Sequence, residues 1–341
     1  MSQRPAHSCI SIFKAMNASW KFLGGVIAGV LLLLGVNVAA LYAVLGVPTV
    51  NSRWAFEIYQ KKQEIAAQAA SPRLLVCGGS SALFGIKAQE LEKKAGMRTI
   101  NLGTHAGLGL ACILRQARAV ARPGDTLLLV LEYDLYDSGK LGVDRVGQEE
   151  IDYVLSHEPA VVRNLSLPQL YKVVMATPVK RLKIGIKNRF DPSRYNDGVE
   201  TGLYALANID GWGDQMNHPG PSRLGAITRK SILGYTFANH LGCLPEVETF
   251  CAWARANGIN VVATFPNLLD DALYHTAQAK EGVEILKHFF ERLGIPVIGE
   301  YTDALLPSDQ FYDTIYHLTE EAAVVRTQKL AEKLQVCLRQ K

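Results

Sequence analysis

A long uncharged segment near the start of the chain constrains its fold most. No charged residue occurs between Lys21 and Arg53, and residues 22–47 are apolar apart from Asn37. A helix of about 20 apolar residues spans a bilayer, whereas the apolar part of a cleaved signal peptide has only about 7–15 residues. The sequence therefore predicts a tail over residues 1–21 and one retained transmembrane helix over residues 22–47.

The charge of the chain is concentrated in front of this segment. Residues 1–52 lack acidic residues and carry three of the four net positive charges of the 341-residue chain, on Arg4, Lys14 and Lys21. The rest is nearly neutral, so we expect no nucleic-acid binding, because that needs a strongly basic surface. Three basic residues also follow the segment: Arg53, Lys61 and Lys62. The positive-inside comparison is therefore close to balanced, and we place the N-terminal tail in the cytoplasm.

The remainder of the chain has the pattern of an α/β protein. Residues 48–72 are charged and helix-permissive, which predicts a stalk helix or linker, or alternatively a first packing helix. Between residues 73 and 341, helical stretches alternate with short apolar runs at residues 73–79, 99–102, 126–131, 260–264 and 296–298. Such alternation is typical of a parallel sheet that helices cover on both faces. We therefore predict a three-layer α/β/α sandwich with about five parallel strands.

Residues 135–243 interrupt this alternation. They lack clear strand patterns, and they include a basic stretch made of Lys180, Arg181, Lys183, Lys187 and Arg189. We predict a mostly helical insertion into the α/β domain. A basic run is usually a solvated face, and contact with anionic lipid or an acidic glycan is the alternative.

Three polar motifs follow predicted strands or precede the last helix. Gly78-Gly79-Ser80-Ser81 follows the first strand, residues 101–107 follow the second, and Asp313 and His317 precede the final helix. Ligands of open parallel sheets bind beyond the carboxyl ends of the strands. Each motif alone also has a structural explanation, such as a serine that caps a helix. A histidine with a nearby aspartate is, however, the pair that supplies a general base and its orienting carboxylate.

Taken in this order, the motifs resemble those of the SGNH (GDSL-like) hydrolase superfamily, in particular its membrane-anchored members associated with acyl modification of cell-surface polysaccharides. The resemblance implies a flavodoxin-like SGNH fold for residues 73–341. It implies that Ser80 of the G-x-S turn is the nucleophile, with Ser81 as the alternative. It also implies that His317 is the base and that Asp313 orients it.

The resemblance further implies an oxyanion hole, in which backbone N–H groups stabilise the tetrahedral intermediate. The Asn-x-Gly block of the family corresponds to residues 101–107, with Gly107 as the donor and Gly103 shaping the turn. The family often has an asparagine after the third strand, where this chain has Glu132. Either Asn267 replaces that asparagine, or the backbones of Ser80 and Gly107 form the hole alone.

From the resemblance we expect a membrane-anchored serine esterase or O-acyltransferase that acts on acyl groups, especially acetyl groups, of an exopolysaccharide. Its partners would be the acylated glycan or another ester substrate, the membrane, and proteins of polysaccharide synthesis or acyl transfer. The body would lie in the periplasm, anchored in a bacterial inner membrane. We expect no cofactor and no metal, since the chain has neither a CxxC pair nor a glycine-rich nucleotide motif. The alternative is a catalytically weak binding or assembly subunit of a polysaccharide-secretion complex.

Overall fold

A computed structural model describes residues 7–137, 148–195, 202–221 and 241–339. The strands in these residues are β1 (Leu74–Gly78), β2 (Thr99–Asn101), β3 (Thr126–Val130), β4 (Asn260–Thr264), β5 (Leu268–Leu269), β6 (Val297–Ile298) and β7 (Leu305–Leu306). The helices are α1 (His7–Ala43), α2 (Val50–Gln68), α3 (Ser80–Gly85), α4 (Ala88–Ala95), α5 (Gly109–Val120), α6 (Tyr133–Asp137), α7 (Gln148–His157), α8 (Pro159–Arg163), α9 (Leu167–Ala176), α10 (Val179–Phe190), α11 (Leu244–Ala256), α12 (Ala277–Arg292) and α13 (Glu320–Arg339).

The predicted parallel sheet is confirmed. Five of the described strands form one sheet in the order β2-β1-β3-β4-β6, and every pairing in it is parallel. The chain leaves β1 toward β2 on one side and continues through β3, β4 and β6 on the other. The side on which the chain adds successive strands therefore changes at β1 and β3. Ligands of open α/β sheets bind in the crevice at such a switch point.

Helices cover both faces of this sheet. Alternate residues of each strand point to opposite sides, so each strand packs against helices on both faces. On one face, Leu74 and Val76 of β1 pack in the same cluster as Leu330 of α13. On the other face, Leu75 and Cys77 pack with side chains of α5, α11 and α12. The α/β architecture with helices on both sides is therefore as predicted.

Helix α2 packs on the body, which selects one of the two alternatives for residues 48–72. Its side chains Ala55, Ile58 and Tyr59 are buried. Lys62 is buried as well and donates a hydrogen bond to the carbonyl oxygen of Gly103. Burial lowers the pKa of the Lys62 ammonium to about 7. The helix that leads away from the apolar segment is thus part of the globular domain.

The region predicted as an insertion is mostly helical in its described parts, which contain α7, α8, α9 and α10. Its described residues 202–221 are instead largely irregular, with an antiparallel bridge between Ile209 and Gln215. Its basic stretch is not uniformly solvated. Arg181 is buried, forms an ion pair with Asp152, and donates a hydrogen bond to the carbonyl oxygen of Val47 at 3.0 Å. This arginine therefore fastens α10 to the chain that follows α1.

The apolar segment lies within α1, where residues Trp20–Ala43 are long and apolar enough to cross a membrane and contain an 18-residue window with a mean hydropathy of 2.3. The predicted end at residue 47 needs correction. The side chains of Leu41, Val44 and Val47 are buried, the first two against α7–α10. Gly46 adopts a φ of 73° just beyond the helix. The sequence placed these residues in lipid because hydropathy does not separate a side chain that faces lipid from one that faces a protein core.

Candidate active site

Ser80 is the first residue of α3, directly after the glycine turn that ends β1. Both positions require glycine, because neighbouring backbone atoms lie too close to leave room for a Cβ. A Cβ on Gly78 would lie 2.1 Å from the carbonyl oxygen of Val130, and one on Gly79 would lie 2.6 Å from the nitrogen of Ala106. The turn therefore fits between β3 and the loop that follows β2. Ser80 is thereby held at the carboxyl edge of the sheet, with 7% of its surface exposed.

The two adjacent serines have different surroundings. The Ser81 hydroxyl is fully buried and donates a hydrogen bond to Oδ1 of Asn267 at 3.0 Å. No described residue forms a hydrogen bond with the Ser80 hydroxyl. A nucleophile needs a hydroxyl that a substrate and a base can reach. The geometry therefore favours Ser80 over Ser81.

Asp313 and His317 form a pair, as their positions in the sequence suggested. Nδ1 of His317 lies 2.8 Å from Oδ1 of Asp313. The four-residue spacing is accommodated by a tight loop, in which Phe311 and Leu318 form an antiparallel bridge and Tyr312 N–H donates to the His317 carbonyl oxygen at 3.1 Å. In the tautomer that donates from Nδ1 to this carboxyl group, Nε2 carries the lone pair. Nε2 has no hydrogen-bond partner among the described residues.

Two contacts join the helix of Ser80 to the loop of His317. Phe84 follows Ser80 by one helical turn, and its ring centroid lies 4.5 Å from that of His317. Asn267 is fully buried, and it connects Ser81 to the Tyr316 carbonyl oxygen, to which its Nδ2 donates at 2.5 Å. The side chain of Asn267 thus holds the two motifs together, and Ser80 and His317 lie on elements that pack directly on each other.

Both glycines of the predicted oxyanion block, the donor Gly107 and the turn residue Gly103, have hydrogen-bond partners within the protein. The N–H of Gly103 donates to Oδ1 of Asn101 at 2.9 Å, and the N–H of Gly107 donates to Nδ1 of His105 at 2.9 Å. For Gly107 to bind an oxyanion, its bond to His105 would have to break, so that assignment stays a prediction. The Ala106 amide lies against the glycine turn. No described residue accepts a hydrogen bond from this amide or from the N–H of Ser80, so both are candidate oxyanion donors.

Glu132 has a position that the sequence did not reveal. It follows β3, and its carboxylate accepts hydrogen bonds from the N–H groups of Gly79 at 3.0 Å and Ser81 at 2.6 Å. Burial raises the pKa of Glu132 to about 7, although these hydrogen bonds oppose the shift. The only sequence signal was an acidic residue at the end of a buried strand. The carboxyl group fixes the turn on both sides of Ser80.

Replacing Glu132 with glutamine tests this role. The amide oxygen of Glu132→Gln can accept from only one of the two N–H groups, and the other is left buried without an acceptor, at a cost of about 1–3 kcal/mol. Urea unfolding of the detergent-solubilised protein at pH 5 should show this loss, whereas Glu332→Gln at an exposed position should change the unfolding free energy by less than about 0.5 kcal/mol.

The pH dependence of the same variant has a definite sign. A raised pKa means that the native state favours the neutral acid, so the unmodified protein loses this stabilisation as the pH rises from about 4.5 to about 7. Glutamine does not titrate. The difference in unfolding free energy between the two proteins should therefore shrink over this interval. A difference that grows with pH would contradict the assignment.

Aromatic rings and a second histidine lie beside His317. The His105 ring contacts Trp54 edge-on at 5.6 Å between centroids, and Tyr204 lies 4.6 Å from Trp54 and 5.7 Å from Phe84. Burial lowers the pKa of His105; nearby Glu149 opposes this shift and His317 adds to it. Burial therefore favours the neutral form of His105 beside the candidate base. These side chains come from α2, from the loop after β2 and from the insertion, which explains why no single motif revealed them.

Comparison of the chain with protein-family models, with curated proteins and with solved structures gives no match. The functional assignment therefore depends on the arrangement of the side chains.

Proposed function

We propose that the protein is a serine esterase or O-acyltransferase of the SGNH type, with Ser80 as nucleophile, His317 as base and Asp313 as the orienting acid. One observation carries this proposal. The Asp313–His317 pair leaves Nε2 of the histidine unpartnered among the described residues, and its loop packs on the short helix that Ser80 begins. A serine, a histidine and an orienting carboxylate on neighbouring elements support nucleophilic acyl transfer, which uses these three groups together.

The reaction proceeds in two halves. Nε2 of His317 accepts the proton of the Ser80 hydroxyl as Oγ attacks the ester carbonyl carbon. The N–H groups of Ser80 and Ala106 hold the oxyanion that forms. When the tetrahedral intermediate collapses, the alcohol leaves with the proton from His317, and an acyl-serine remains. Water or a sugar hydroxyl then attacks the acyl-serine by the same steps, and Ser80 regains its proton.

The substrate is proposed to be an acetylated or otherwise acylated exopolysaccharide. Trp54 and Tyr204 support this choice, because they present aromatic surface with a polar edge beside His105, and Tyr204 contacts Phe84, the ring that packs on His317; such a surface suits the mixed surface of a sugar ring. The apolar half of α1 would keep the enzyme at the membrane where such a polymer is made or exported. In this proposal the body lies in the periplasm of a bacterium and the tail in the cytoplasm.

A second candidate function is a catalytically weak subunit that binds the polymer or its assembly proteins. The position of Glu132 favours it, since a carboxyl group occupies the end of β3 where an oxyanion donor would assist catalysis. Removal of one such donor lowers rates by about 10²–10³-fold.

Covalent labelling distinguishes the two candidates. A fluorophosphonate reacts with a serine only when a base and an oxyanion hole activate it, so we expect a single adduct on Ser80, located by mass spectrometry of the peptide. The heat-denatured protein is the control and should remain unlabelled. An unlabelled native protein would support the binding subunit, and an adduct on Ser81 would reverse the choice between the two serines.

A further inference from the structure

The outward faces of α9 and α10 carry two apolar stripes. On α9, the side chains of Leu167, Tyr171 and Met175 follow one another at four-residue intervals and are 82%, 53% and 59% exposed. On α10, Val179 and Ile186 are exposed, and Phe190 is 84% exposed. Single exposed apolar side chains are common on protein surfaces, whereas exposed apolar side chains repeated along one face of two consecutive helices indicate an interaction surface.

Both helices contact α1, and α10 is fastened to its end. Arg189 donates a hydrogen bond to the carbonyl oxygen of Ala43 at 3.1 Å, and Asn188 donates to that of Pro48 at 3.0 Å. Gly185 lets the helices approach, because a Cβ there would lie 2.8 Å from the side chain of Val44. The apolar stripes therefore lie on a unit that is packed around the point where α1 enters the domain.

The length of α1 locates the bilayer surface relative to that unit. Side chains from Trp20 to Tyr42 are largely exposed, and burial is complete at Leu41 and Val44. The distance from Trp20 to Tyr42 along a helix is roughly 33 Å at 1.5 Å per residue, close to the thickness of a hydrocarbon core. Trp and Tyr are also the residues enriched at membrane–water interfaces. One interface therefore falls near Tyr42, beside α9 and α10.

The charge of these helices suits lipid headgroups. Neither α9 nor α10 contains an acidic residue. Their exposed basic side chains are Lys180, Lys183, Lys187 and Arg189. An amphipathic helix with aromatic and aliphatic residues on one face, flanked by Lys and Arg, binds within the interfacial plane of a membrane and prefers anionic lipid.

We propose that α9 and α10 form an interfacial platform that lies on the bilayer, with the two apolar stripes inserted among the headgroups and the basic side chains paired with anionic lipid phosphates. The platform would hold the α/β domain against the membrane in a fixed orientation. This proposal depends on the span in α1 and is independent of the reaction at Ser80.

Spin labels in the full-length chain, reconstituted in nanodiscs, test the platform. Labels are placed by Met175→Cys and Phe190→Cys, with Val325→Cys on α13 as a control that is 51% exposed. Cys9 and Cys337 are replaced by serine so that only the introduced thiol reacts. In discs that contain phosphatidylglycerol, we expect accessibility to a water-soluble nickel chelate to be about threefold or more lower at the two platform positions than at the control, with oxygen accessibility higher, as insertion by about 5–10 Å requires.

The same measurement separates lipid from other occupants. Nickel accessibility at Met175→Cys and Phe190→Cys equal to that of the control would overturn the proposal. Low accessibility to both nickel and oxygen would also overturn it, because it would indicate burial against protein. The proposed pairing of basic side chains with lipid phosphates is tested with Lys183→Glu/Lys187→Glu. This change should raise nickel accessibility at both labels in phosphatidylglycerol discs. An unchanged accessibility would show that the basic side chains do not bind anionic lipid, and that part of the proposal would be wrong.

Discussion

Replacement of Ser80 by alanine is expected to lower kcat/KM for p-nitrophenyl acetate by at least about 10³-fold, because the acyl-serine can no longer form. His317 and Asp313 remain in place in this variant, and any residual rate reflects water activated by the histidine. The assay follows release of p-nitrophenol by the detergent-solubilised full-length protein. Ser80 is nearly buried and its side chain has no described hydrogen-bond partner, so its loss should leave the fold intact.

The adjacent serine provides the matched control for this experiment. Ser81→Ala removes the hydrogen bond to Asn267, which should reduce the unfolding free energy by about 1 kcal/mol and the rate by much less than Ser80→Ala does. Undiminished activity in Ser80→Ala would disprove the proposed mechanism. A greater loss of activity in Ser81→Ala would show that the second serine is the nucleophile.

The sheet could be predicted because its strands carry a strong local signal. A strand buried on both faces reads as a continuous apolar run, and Gly78 and Gly79 mark where β1 ends. The pair β5 and β7 was not predicted, since two residues each are too few to show a period. The end of the apolar segment was misplaced for a different reason. Val44 and Val47 are as apolar as lipid-facing residues, yet packing against the insertion buries Val44, and Val47 is buried in the protein as well.

The candidate site likewise combines residues that the sequence could predict with contacts that it could not. Ser80, Asp313 and His317 stand in motifs that can be recognised by their order along the chain, and the folded chain brings the elements that carry them into contact. The partners of the backbone amides could not be read from the sequence. Whether Gly107 N–H faces a substrate or His105, and whether Glu132 faces solvent or the glycine turn, depends on contacts between distant segments.

The second large effect is expected at the opposite edge of the sheet. Arg73 precedes β1 and Asp125 precedes β3, and both side chains are fully buried. Arg73 donates to Asp125 through its backbone N–H at 3.0 Å and its Nε at 3.2 Å, and it also donates to the carbonyl oxygen of Val120 at 2.8 Å. Asp125→Ala leaves the guanidinium buried without its counter-charge, which should lower the unfolding free energy by about 3–5 kcal/mol.

Urea unfolding measured over a range of pH tests whether the ionised form of Asp125 provides this stabilisation. Burial acts to raise the pKa of Asp125, but hydrogen bonds from Arg73 and from the Arg122 N–H outweigh burial, so the pKa lies below its ordinary value. The stabilisation is therefore present above about pH 4 and is lost as the pH falls through the native pKa. The difference between the unmodified protein and Asp125→Ala should shrink in acid, and exposed Asp309→Asn should show no such trend.

A double variant separates the pair itself from the cost of an unpaired charge. Removing both ionised groups in Arg73→Met/Asp125→Ala should recover part of the stability lost in Asp125→Ala, because no buried charge is left without a partner. If the double variant were instead less stable than Asp125→Ala, the hydrogen bonds of Arg73 to the Ala66 and Val120 carbonyl oxygens would outweigh its charge. The proposed esterase activity should be unchanged in the folded fraction of every variant, since these residues lie at the amino ends of β1 and β3 and Ser80 lies beyond the carboxyl end of β1.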